Sequence, residues 1–121
     1  MTTYPVAFRH GDPSFADYTP SAGNVAAGSV VLIGNTTGLS CGIAHLDIAN
    51  GVMGSVAVGG GIYDVTMLTN LPPGQTVYWD VTNSKVTSTS TNNALFGYLI
   101  TGNTGANTVV RAIHIPYGAK Y

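Results

Sequence analysis

The chain has 121 residues, one domain's worth, of which 45% are apolar and only 7% charged. An ordinary soluble domain is about 25% charged, so a surface this poor in charge suits a molecule that lives against other subunits. The net charge of −1, with no basic cluster, argues against direct nucleic-acid binding, which needs several Lys or Arg side chains on phosphate.

Residues 1–24 differ from the rest. Tyr4, Phe8, Phe15 and Tyr18 are interleaved with Pro5, Pro13 and Pro20, and neither the strand period nor the helix period is kept. Proline excludes a helix interior and a central strand alike, and Arg9-His10-Gly11-Asp12-Pro13 reads as a turn. The segment is expected to be either a loose terminus or an extended N-terminal arm whose rings dock on a partner, since aromatic side chains are favoured at interfaces. In the second case Tyr4, Phe8, Arg9, Phe15 and Tyr18 are the partner-contact residues.

The body, residues 25–115, reads as short strands at 29–33, 39–45, 55–58 and 62–67, with one turn of helix or a tight loop at 47–51. Gly59-Gly60-Gly61 between the third and fourth predicts a bulge or a sharp bend. Pro72-Pro73-Gly74 then turns the chain into four further strands, 76–80, 85–89, 94–100 and 107–115. The first of these, Thr-Val-Tyr-Trp-Asp, has the β-branched and aromatic composition of a half-buried pleated surface. Asp80 is placed to open the following turn by accepting a backbone N–H. No stretch sustains a helical period, so the fold class is all-β: a small compact β-barrel or sandwich of short antiparallel strands. A tail, residues 116–121, follows. A weak echo between 27–58 and 73–110 suggests two similar units packed together.

Candidate chemistry is sparse. His10, His45 and His114 lack the short spacings of a zinc site, and the scattered aspartates do not form a calcium loop. Cys41 has no base beside it in sequence; it reads as a buried small hydrophobe, and a lone cysteine fits synthesis in a reducing cytoplasm. The glycine triplet is not followed by the lysine of a phosphate loop. No run is apolar enough for a membrane helix, and the first residues lack a signal-peptide pattern. The expectation is therefore a non-enzymatic protein with no catalytic, cofactor-binding or metal residues, no cofactor and no membrane partner. Trp79 is assigned to core packing first and interface contact second.

The order of motifs resembles the small phage capsid cement, or decoration, proteins. The carrying residues are His10-Gly11-Asp12 with Asp17-Tyr18-Thr19-Pro20, then Ala27-Gly28-Ser29-Val30-Val31-Leu32-Ile33-Gly34 and Gly54-Ser55-Val56-Ala57-Val58. They continue with Gly74-Gln75-Thr76-Val77-Tyr78-Trp79-Asp80, Val86-Thr87-Ser88-Thr89 and Leu95-Phe96-Gly97-Tyr98-Leu99. The resemblance implies a β-tulip-like fold and a structural virion protein on the outer capsid surface. It also implies two partners, the major capsid protein and further copies in a homotrimer, with head stabilisation as the role. The alternative is a virion-surface carbohydrate-binding adhesion module that stacks sugars on Trp79 and exposed tyrosines.

Overall fold

The computed structural model describes residues 6–33 and 40–116. Every regular element in them is a strand: β1 (Val6–Tyr18), β2 (Val30–Ile33), β3 (Ser40–Ile43), β4 (Gly54–Thr66), β5 (Thr76–Asp80), β6 (Lys85–Thr87), β7 (Ala94–Leu99) and β8 (Val109–His114). They form one antiparallel sheet in the order β2-β3-β4-β8-β7-β5-β6, with β1 laid along β4. The sheet curls until the end of β4 reaches β6, where Met67 bridges Val86 and the Leu68 N–H donates to the Val86 carbonyl at 2.8 Å.

Strand alternation builds the interior. Tyr63, Val65 and Met67, Val77 and Trp79, and Val110, Ala112 and His114 are all buried, one from every pair of residues along their strands. Phe96 and Leu99 of β7 complete this main core, and Trp79 packs on Phe96 with ring centroids 6.2 Å apart. A smaller core of Val31, Ala44, Ile48 and Val56 lies at the β2 end, with Tyr18 packed against it. The turn after β5 forms as its residues predict: Asp80 accepts the Asn83 backbone N–H at 3.2 Å and its side-chain amide at 2.9 Å, which lowers the carboxyl pKa.

The two echoing segments occupy matching places. The order β2-β3-β4 is mirrored by β5-β7-β8, with β4 and β8 adjacent at the centre and β6 added beyond β5.

Two readings are corrected. Arg9-His10-Gly11-Asp12-Pro13 was expected to form a turn, yet it lies inside β1, which runs from Val6 to Tyr18 and is as long as β4. Its register slips between Phe8 and His10, between Gly11 and Ser14, and between Ser14 and Phe15, and Pro13 sits in the second slip. An edge strand tolerates a proline there because no ladder hydrogen bond depends on its nitrogen. The strands expected at 55–58 and 62–67 are one continuous strand running through the glycine triplet. At the crossing with the slipped part of β1, Gly60 has a φ of 100° and a Cβ on it would come within 3.2 Å of the Asp12 carbonyl oxygen. Only glycine lets the two backbones pass so closely.

Candidate functional site: the aromatic face around His45

His45 lies just past β3 and is flanked by both phenylalanines of β1. Its ring centroid is 4.9 Å from that of Phe8 and 5.0 Å from that of Phe15. Residues an odd number apart on a regular strand point to opposite faces. The slips in β1 change that parity and allow Phe8 and Phe15 to converge on one imidazole.

Beneath His45, the fully buried Tyr63 of β4 shares a hydrogen bond of 2.7 Å between its hydroxyl and Nε2. The Tyr63 ring meets Phe8 edge-on at 5.5 Å and His114 edge-on at 6.0 Å. Burial lowers the His45 pKa and raises that of the Tyr63 phenol, so both are neutral at pH 7. The cluster is thus an uncharged aromatic stack running from the surface into the main core.

A hollow opens on each side of His45. One, of about 320 Å³, is lined by Val6, Phe8, Ala27, Ile43 and Tyr63. The other, of about 550 Å³, is lined by Phe15, Leu46, Ile48 and Met53 together with Asp17 and Asp47. Leu46 is 76% exposed, Met53 66% and Phe15 49%, so large apolar side chains gather at one place on the surface. Single exposed apolar residues are ordinary, but a group around a hollow is the signature of a contact surface.

Of the candidate contact residues, Phe8 and Phe15 therefore come together on this face. Arg9 lies beside Asp64, Nε to Oδ2 at 3.6 Å, in a partly exposed cluster that Asp64 shares with Arg111. Tyr18 is half-buried against the smaller core. Tyr4 lies outside the described residues. Sequence reading took His45 for an isolated histidine and missed Leu46 and Met53; nothing local marks the three as a group, because their grouping depends on where β1 crosses the chain.

One pair invites comparison with a Cys–His dyad. Cys41 Sγ lies 3.6 Å from His114 Nε2, and both residues are fully buried. The thiol donates to the Leu95 carbonyl at 3.3 Å, and burial pushes its pKa up to about 12. His114 Nε2 donates to the Cys41 carbonyl at 2.9 Å, which leaves Nδ1 bare, buried and without a hydrogen-bond partner among the described residues. A protonated thiol sealed from solvent is neither nucleophile nor metal ligand. Among the described residues no three His, Cys, Asp or Glu side chains group to hold a metal ion, and no helix is long and apolar enough to cross a membrane. Trp79, 3% exposed, has no face free to stack on a sugar.

The sequence profile of a family described as phage cement protein matches residues 9–114, nearly the whole chain. The chain belongs to the phage cement protein family. It is a phage structural protein associated with the capsid. No curated protein and no solved structure matches it.

Proposed function

We propose that this cement protein binds the outer surface of the phage head, bridges neighbouring major capsid subunits and stabilises the head by contact alone, without enzymatic activity. The homotrimer is its working form, with one shared axis repeating each contact three times. Residues 1–24 act as the contact segment through Tyr4, Phe8, Arg9, Phe15 and Tyr18, held on the body, residues 25–115, by the pairing of β1 with β4, and 116–121 act as a tail.

The observation that carries this reading is the exposed apolar group of Phe15, Leu46 and Met53 around His45, in a chain with few charges to keep it solvated. Each apolar side chain taken out of water at a protein seam contributes about 1.5–3 kcal/mol before ordering costs are subtracted. Repetition over a lattice multiplies modest contacts through effective concentration.

The test is to mix the purified protein with expanded and unexpanded shells of the parent phage. Binding to expanded shells, with a rise in their disruption temperature, is the expected result. A Met53→Asp variant should remain folded and lose most of that binding. Absence of binding to either shell refutes the proposal.

A further inference from the structure

The backbone edges of the sheet are not equivalent. At β6 the outer side is occupied, since Val86 already accepts from Leu68 and bridges Met67. Along β1 the edge carries register slips, Pro13, and the charged residues Arg9, Asp12 and Asp17. Slips, proline and charge are the devices by which natural edges resist pairing with another chain.

β2 carries no slip, proline or charge and is guarded only by its shortness. Its sequence is Val-Val-Leu-Ile, and it pairs with β3 in an unbroken register from Val30↔Ile43 to Ile33↔Ser40. The ladder's phase follows from its first bond, in which the Ala44 N–H donates to the Ser29 carbonyl at 3.0 Å. Antiparallel residues alternate between facing the partner strand and facing away. Ser29, Val31 and Ile33 therefore face β3, and the N–H and C=O groups of Val30 and Leu32 point outward. Among the described residues no strand lies on that side. The Leu32 side chain is 39% exposed beside it, while Val31 on the opposite face is buried in the smaller core.

We infer that β2 is a docking edge for an extended, uncharged strand of the phage shell subunit, which adds to the sheet through the backbone of Val30 and Leu32. This rests on the cement reading above and extends it from an apolar face to a backbone contact. The occupant is uncharged because β2 offers it only apolar side chains and no counter-charge.

A second copy fits less well. With β6 closed and β1 slipped, the edge a copy would offer is its own β2. Paired strands of four residues span only about 13 Å and bury far less than the roughly 1,200 Å² of a stable free-standing interface. Such an edge is useful only where other contacts already hold a strand alongside, as on a repeating shell.

The experiment compares wild type, Leu32→Pro and Leu32→Ala for occupancy of expanded shells stripped of this protein, and measures amide hydrogen exchange of Val30 and Leu32 free and shell-bound. Proline removes the outward N–H and leaves the inward groups of Val31 and Ile33 in place, whereas alanine removes only side chain. Loss of backbone hydrogen bonds at about 0.5–1.5 kcal/mol each predicts about tenfold weaker binding for Leu32→Pro. Leu32→Ala is expected to lose much less, and both wild-type amides are expected to gain protection on the shell.

Wild-type occupancy by Leu32→Pro, or unchanged exchange at both amides, overturns the inference while leaving the cement reading intact. Failure of the wild type to bind overturns both. Self-association of the wild type in solution that Leu32→Pro abolishes assigns the edge to a second copy and also overturns it. Should Leu32→Pro fail to fold, the wild-type exchange data decide alone.

Discussion

The buried imidazole of His114 makes a quantitative prediction about acid. Its Nε2 donates to the Cys41 carbonyl and its bare Nδ1 has no partner among the described residues, so a second proton would place an unpaired cation in the main core. Burial accordingly lowers its pKa from 6.5 to about 4, with the neighbouring His45 adding to the effect and the bond to Cys41 opposing it. A histidine whose folded pKa is depressed is protonated first in the unfolded chain, so stability is full above pH 6.5 and falls as the pH drops toward 4. A gap of about 2.5 units at 1.36 kcal/mol per unit is worth roughly 3 kcal/mol by pH 4, a large share of the 5–15 kcal/mol typical of a domain. The assay is urea unfolding of wild type and His114→Gln at pH 7, 5.5 and 4. The glutamine amide can still donate to Cys41 but does not titrate. Between pH 7 and 4 the wild type should lose about 3 kcal/mol more than the variant. Parallel losses in the two proteins would refute the assignment, because every other titrating group is common to both.

Two further outcomes follow from the packing. A Cβ at Gly97 would strike the Ile113 carbonyl across the β7–β8 ladder, so Gly97→Ala should cost about 2 kcal/mol or more, or prevent folding, as read by thermal unfolding. Cys41, fully buried with its thiol pKa near 12, should resist a thiol-reactive chromogenic reagent at pH 8 in the native protein and react at once in denaturant.

Much of the strand pattern was legible because alternation leaves a direct imprint on sequence. The stretch Thr76–Asp80 was read to the residue, and Lys85–Thr87, Ala94–Leu99 and Val109–His114 fall inside their expected ranges. The same alternation along β8, with Val110 and Ala112 inward, was a usable sign that His114 would be inward too. β1 was not legible. Pro13 and the register slips erase the period that would have announced a strand, and its pairing with β4 joins residues some fifty positions apart, such as Phe8 and Tyr63.

By itself the sequence determined composition-level and local properties: an all-β chain with few charges, its turns, the inward face of most strands, and the motif order that resembles phage cement proteins. Those follow from short-range rules of propensity and period. The tertiary structure decided which surface is special. His45 meets Tyr63 across 18 positions, and both phenylalanines of β1 reach it only because slips in an edge strand turn their side chains to the same side. It also decided which edges are closed and that, among the described residues, β2 has no outer neighbour, since an edge exists only once every other strand has taken its neighbour.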